Sequence, residues 1–327
     1  MSELFAALQE DIIRTLYRVF LLREPDPEGL AQHLRDIQRG TSVEDLFRSC
    51  LSCQEFSENF ETFVKTYLRL ERPEGKTASA ESSSLLSARD TTRDWQIIGA
   101  SEPYFGVLTN PRFYRRNLDE ASLQEFWLSG QGDVQNCTET IKRVLLADFA
   151  PRRALDFGCG VGRLTRAMAR VARHVVGFDV SPGMLAEARR HEHPNVEFAE
   201  VLPDGVFDWI NSLIVFQHIP TARGYELFDE LLDRLAPGGV ISVHVTIFRD
   251  QRALPALLDL LLDGVWDGSN LRVLDDKPPP AGHMMIFDYD LNRLLSAAIR
   301  RGIGSFYLEH SDHGGCHGVI LYGRRRL

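Results

Sequence analysis

Apolar positions change their period along the chain, and the changes mark its parts. In the first stretch Leu4, Leu8, Ile12, Leu16 and Phe20 recur at helical spacing on one face. Asp26 followed by Pro27 reads as an N-cap with proline in the first helical position, and Gly40 as a helix stop. Thr41-x-x-Glu44 and Ser52-x-x-Glu55 read as capping boxes that start two further helices. Residues 1–71 are therefore expected to form a small all-helical bundle of about four helices. Residues 72–94 are rich in Ser and Thr, with Leu85 and Leu86 as the large apolar residues, and are expected to be a flexible linker.

From Trp95 aromatic residues return (Tyr104, Phe105, Phe113, Phe126, Trp127), and a helix is expected from about Val134 to Ala147. Beyond Pro151, short apolar runs alternate with helical patterns, which predicts an α/β domain with a doubly wound, mostly parallel sheet. Strands are expected at 153–157, 174–179, 195–200, 208–215 and 239–247, and a helix near 290–301. Strands at 304–310 and 316–324 flank Gly314-Gly315 and read as a closing hairpin. The second domain is placed at 95–327, with 95–150 as an N-terminal cover and 249–288 as a substrate-side insertion.

Charge narrows the possible partners. The 327 residues carry 37 basic against 46 acidic side chains, a net charge of −9. That argues against nucleic acid or an anionic membrane as main partner, since both need a basic footprint. Arg324, Arg325 and Arg326 read as a solvated run. No stretch reaches the ~18 apolar residues of a membrane span. The five cysteines are scattered, as in a reducing compartment, and no secretion signal is expected, so the protein is expected to be cytoplasmic. Cys50-x-x-Cys53 reads as packing inside the helical bundle.

The chemistry gathers at the ends of the expected strands. Asp156-Phe157-Gly158-Cys159-Gly160-Val161-Gly162-Arg163 is a strand end, a glycine turn and a helix start. Glycines bring backbone close to a ligand, but Arg163 stands where a dinucleotide fingerprint needs its third glycine. Asp156 would repel a pyrophosphate, so a cationic ligand fits better. Val176-Gly177-Phe178-Asp179 ends a second strand in an acid about twenty residues later, where a carboxylate can take both ribose hydroxyls of an adenosine. Val180, Pro182 and Met184 put apolar surface beside it. Phe207-Asp208 through Gln217-His218-Ile219-Pro220, then Pro237-Gly238-Gly239, complete the pattern.

In order and spacing these motifs resemble the class I S-adenosylmethionine-dependent methyltransferases over roughly 150–327. The resemblance implies a seven-stranded Rossmann-like sheet whose last strand is antiparallel, and S-adenosylmethionine as cofactor. It implies that Phe157, Gly158 and Gly160 line the methionine moiety with Asp156 near its ammonium, and that Asp179 holds the ribose. Val180 and Met184 would flank adenine, and Ser212 with Leu213 would lie by the methionine end. The family's acid after the third strand is missing: Val201 and Leu202 stand at that contact, between Glu200 and Asp204. Tyr104 is a cofactor contact from the cover. Separately, Leu16–Phe60, within about 10–62, resembles a helical module known as domain of unknown function 4214. That likeness rests on Tyr17-Arg18, Arg23-Glu24-Pro25-Asp26-Pro27-Glu28-Gly29-Leu30 and Glu55-Phe56. Such modules accompany glycan-modifying enzymes and can bind a protein partner.

Methyl transfer from a sulfonium is driven mostly by alignment, and a base is needed only for a hydroxyl or protonated amine. His218 is the candidate base, His310, His313 and His317 form a rival cluster without a metal-ligand spacing, and His244 reads as a core residue. Met284, Met285, Phe287 and Tyr289 are candidates for the acceptor pocket. The expected activity is O-methylation of a sugar, glycan or similar small polar acceptor. O- or N-methylation of a natural product or metabolite is the alternative. A non-catalytic S-adenosylmethionine-binding adaptor is the reading from another class.

Overall fold

The computed structural model describes residues 2–21, 23–56, 89–191, 193–253, 264–266, 271–273 and 281–327. Its contacts divide the chain into two units, one built on the described residues up to 56 and one on 89–253 with 281–327.

In the first unit α1 (Ser2–Leu16) continues into a π-helical turn, Tyr17–Leu21, and is followed by α2 (Pro27–Gln38) and α3 (Val43–Ser52). Asp26 caps α2 by accepting from Gly29 N at 2.8 Å, and Gly40 takes φ 102° after it. The first expected capping box shifts by one residue, and Ser52, expected to open the second, is the last residue of α3. Ser42 rather than Thr41 caps α3, in a reciprocal pair with Asp45. Past α3, the Cys53 thiol accepts from Phe56 N, while Glu55 turns to the Arg23 guanidinium. Arg23 also lies over the Tyr17 ring, which packs with Ile13, Leu21 and Phe56. A Cβ at Gly29 would sit 3.2 Å from the Asp26 carboxylate and 3.3 Å from the Tyr17 hydroxyl. The sequence run from Tyr17 to Phe56 thus closes on itself. Cys50 is buried, its thiol raised by that burial. The fourth helix and most of the expected linker lie outside the described residues.

The linker ends sooner than 94. Helix α4 (Thr91–Ser101) starts on the Asp90 cap. Asp94 is 3% exposed, because its carboxylate takes Arg89 at 2.6 and 2.9 Å and Gly282 N at 2.7 Å. Next come α5 (Pro103–Val107) and α6 (Glu120–Val144). The long α6 begins well before the expected Val134, on an Asp119/Ser122 capping box. Its aromatic pair Phe126-Trp127, expected as part of the cover, lies on this helix.

The sheet has seven strands: β1 (Arg153–Phe157), β2 (His174–Phe178), β3 (Val196–Ala199), β4 (Phe207–Ser212), β5 (Leu235–Arg249), β6 (Ile303–His313) and β7 (Cys316–Arg325). Their order is β3-β2-β1-β4-β5-β7-β6, with the first five parallel and β7 antiparallel to both neighbours. Leu155, Val175, Ile210 and Ile241 are fully buried, as parallel strands covered on both faces require. Helices α7 (Arg163–Met168), α8 (Pro182–Ala188), α9 (Thr221–Asp233) and α10 (Leu291–Arg300) complete the layers. Strand order reverses between β1 and β4, and that switch point opens the crevice in which such sheets bind ligands. Among the described residues no helix is long and apolar enough to cross a membrane.

Candidate functional site at the strand ends

At the end of β1 the chain turns through three left-handed glycines: Gly158 (φ 77°), Gly160 (φ 54°) and Gly162 (φ 83°). A side chain at these φ values is strained, so the turn needs glycine. Gly158 N and Cys159 N both donate to Phe178 O, locking the turn against β2. Immediately after β2, Asp179 spans the turn: Oδ2 accepts from Gly160 N at 2.8 Å and Oδ1 from Ser181 N at 2.9 Å. Burial raises the Asp179 carboxyl to about 6, against the pull of those amides. Asp156, 1% exposed inside β1, accepts from the Thr165 hydroxyl at 2.6 Å and is likewise raised by burial to about 6. One carboxyl thus braces the glycine turn and the other the helix that follows it.

The structure brings together most of the expected site residues, in different capacities. Phe157 packs against Phe178 and Phe216, and the Ser212 hydroxyl donates to Phe157 O, tying β4 to β1. Leu213 packs on the buried cluster of α6 and α7. Met184 is buried under α4 and α5, within reach of Gly99 and Gly106. Val180 is partly exposed, its carbonyl facing Gln96. Val201 is 79% exposed and Leu202 half-buried, both on the loop after β3. Tyr104 departs from its expected part. Its hydroxyl donates to Glu187 of α8 at 3.1 Å and its ring packs on Phe126 and Trp127, so it anchors the cover by its polar end.

After β4, Ile214 adopts φ 58°, the one non-glycine positive φ among the described residues. For a β-branched residue that is a strained conformation, and strain of this kind gathers at functional sites. The strained turn aims Val215 at Gly158 and leads into the 3₁₀ turn Phe216–His218. His218 is buried, with the Trp95 ring edge-on at 5.0 Å. Its Nδ1 donates to Met285 O at 2.7 Å, which leaves Nε2 as the acceptor, 3.2 Å from the Gln217 amide nitrogen. Gln217 Oε1 accepts in turn from the Thr246 hydroxyl. This chain fixes the ring and its tautomer. Burial holds the imidazole neutral down to about 4, well under the ordinary histidine range.

His244 is 2% exposed, with Nε2 on the Ser311 hydroxyl at 2.8 Å, in keeping with a core residue of β5. The hairpin histidines divide. His313 meets the His244 ring edge-on, whereas His317 bonds Asp250 and His310 and stacks on Phe248. Among the described residues no group of His, Cys, Asp and Glu has the geometry to hold a metal. Met284 and Met285 are buried, Met284 inside the cover cluster, and Tyr289 donates its hydroxyl to Ile219 O. Sequence reading missed the cover's own contacts on the turn. Val107 stands where a Gly160 Cβ would lie at 2.6 Å, and Trp95 lies on His218. Only the density of aromatics in 95–127 hinted at them.

Residues 154–239 match the family described as "Methyltransferase domain". A trans-aconitate 2-methyltransferase of Methylobacterium nodulans is 39% identical over 116 residues, 33% of this chain and 42% of that protein. A ubiquinone biosynthesis O-methyltransferase of Xanthomonas campestris is 28% identical over 150 residues, 41% of this chain and 62% of its own. The chain spans less than half the length of the trans-aconitate relatives it matches. A crystal structure of magnesium protoporphyrin IX methyltransferase from Synechocystis with bound S-adenosylmethionine superposes with a TM-score of 0.45 at 17% identity, over 71% of this chain and 97% of that one.

Proposed function

Because residues 154–239 match a family described as a methyltransferase domain and resemble the class I S-adenosylmethionine-dependent kind, we propose that the chain methylates a hydroxyl of a sugar, a glycan or a similar small polar acceptor. The observation that carries the reading is the Asp179 carboxylate laid across Gly160 N and Ser181 N beside buried Asp156. These groups fit a cation that bears an adenosine: bare glycine backbone for close approach, one carboxylate at the second strand for ribose hydroxyls, one at the first for an ammonium. When bound, S-adenosylmethionine supplies a methyl group already activated on sulfur.

The chain's own residues then orient and enclose. Asp179 and Asp156 hold charge and hydroxyls in place, Met184 and Val180 offer apolar surface, and α4 with α5 shuts the crevice from water. His218 Nε2 is held by the Gln217 amide, so an acceptor hydroxyl would take that amide's place to reach the lone pair, and the low basicity of the ring suits it to aligning that hydroxyl more than to storing its proton. The resemblance of the helical first unit to modules of glycan-modifying enzymes supports a glycan acceptor. The names of the trans-aconitate relatives favour a second acceptor class, an acidic small metabolite.

The test pairs calorimetry with methyl transfer. Asp179→Asn should weaken S-adenosylmethionine by about 2–3 kcal/mol, since the hydroxyls lose a charged acceptor. Labelled methyl should appear on glycans or sugar hydroxyls in a panel that also holds trans-aconitate. Unchanged affinity in a folded variant would remove the site assignment. Tight binding with no transfer to any acceptor would favour the adaptor reading.

A further inference from the structure

Two arginine nitrogens and a histidine nitrogen, all buried and without a partner, belong to residues that line one cavity beside α7. Arg163 and Arg166 stand at i and i+3 in α7, and Arg170 follows in the turn after it, all three lining the cavity. Helix α6 sets Trp127 and Gln131 across from them, and His193 closes the end of a cavity of about 70 Å³. That is several times the room one water needs. Gly130 allows the close approach: a Cβ there would lie 2.5 Å from Arg163 O.

The donors are unusually poorly matched. Arg163 is 5% exposed; its Nη1 takes Asp133 at 2.6 Å and Ser129 at 3.1 Å, while its Nε is buried with no hydrogen-bond partner. Arg166 Nη1 and His193 Nδ1 are buried in the same condition. The Arg166 guanidinium lies over the Trp127 ring at 4.2 Å, and Arg170 donates to Gln131. Asp133 is the one carboxylate paired with these arginines among the described residues, leaving an excess of two positive charges in an acidic chain. Burying unmatched donors is costly, and natural structures seldom keep several together without a ligand. Burial and the neighbouring Arg170 both pull the Arg166 guanidinium below its ordinary range, the mark of a cation lacking a counter-ion.

A dianion with three acceptor oxygens matches both the charge excess and the donors, and guanidinium forks suit phosphoryl geometry. We propose that this cavity binds a phosphoryl group, as free phosphate or as a phosphomonoester. The site adjoins the glycine turn through Arg163 but needs no assumption about the methyl acceptor.

Inorganic phosphate and glycerol phosphate, each titrated into the full chain at constant ionic strength against chloride, test it. Saturable binding and a rise in the unfolding midpoint above that in chloride are expected. Affinity should fall about tenfold or more in Arg166→Gln, and also fall in Arg170→Gln, whose exposed side chain carries little risk to folding. Equal binding of both ligands would assign free phosphate, and a preference for the ester would assign a phosphomonoester. Phosphate acting no differently from chloride, or Arg170→Gln and a folded Arg166→Gln binding like the parent, would overturn the proposal.

Discussion

A histidine that gives its Nδ1 proton to a carbonyl has one nitrogen left for chemistry, and in His218 that nitrogen faces Gln217. Its pH behaviour follows. The ring binds a proton near 6.5 in the unfolded chain but only near 4 when folded, so the unfolded state holds more protons between those values. His218 therefore contributes stability above about pH 6.5 that is lost as pH falls toward 4. Nitrogen-resolved NMR should show a neutral Nδ1–H tautomer at pH 7 that titrates near pH 4. A transition near 6.5 would contradict the buried arrangement. The two carboxyls run the other way. Asp156 and Asp179 are raised to about 6, so S-adenosylmethionine affinity should decline as pH falls through 6 and the charges that meet the cation are quenched. Flat affinity between pH 5 and pH 7 would deny them that part. At this scale the sequence was readable where chemistry follows chain position. An acid ending a strand after a glycine turn can be seen, whereas the Tyr104–Glu187 bond joins residues far apart and depends on which face each helix presents. Ile214 shows no signal at all, since its φ is imposed by the turn between β4 and the 3₁₀ helix.

Helices α4 and α8 cross through glycine. A Cβ on Gly183 would lie 2.7 Å from the Gly99 backbone, and one on Gly99 would lie 2.2 Å from the Ser181 hydroxyl. The cover is thus seated directly over the start of α8, beside Asp179. Gly183→Ala should cost about 1–3 kcal/mol by urea unfolding, because the contact atoms are backbone and cannot rotate aside. A variant as stable as the parent would show that α4 sits more loosely. Strand positions were legible to within a residue or two for β1 and β2, where buried parallel strands read as short apolar runs. Helix α6 was not, because its first half buries Phe126 against the cover cluster and its apolar stripe does not look outward-polar in the usual way.

At the scale of the whole molecule, Arg89 and Asp94 tie the start of α4 into the second unit. A fragment starting at Arg89 keeps the ion pair and the Asp94–Gly282 bond, while one starting at Trp95 loses both. The longer fragment should fold and bind cofactor; the shorter should unfold at lower denaturant, as removal of a buried paired charge leaves Gly282 N unmatched. Equal stability of the two would return these residues to the linker. Composition could mark 72–94 as a stretch that buries little, but not that its last residues are pinned by a partner almost two hundred positions away.

Strand β7 lies between β5 and β6, yet it is the last of the seven to be synthesised. Until residues 316–325 leave the ribosome, the edge of β5 from Val240 to Arg249 has no neighbour on that side. At ordinary rates of translation the interval between Arg249 and Arg325 lasts roughly four to fifteen seconds. During that time a long apolar edge stands open to other nascent chains. Assembly of this sheet is in that sense an event that awaits the synthesis of its seventh strand, and the cell's holding factors have a defined surface to guard meanwhile.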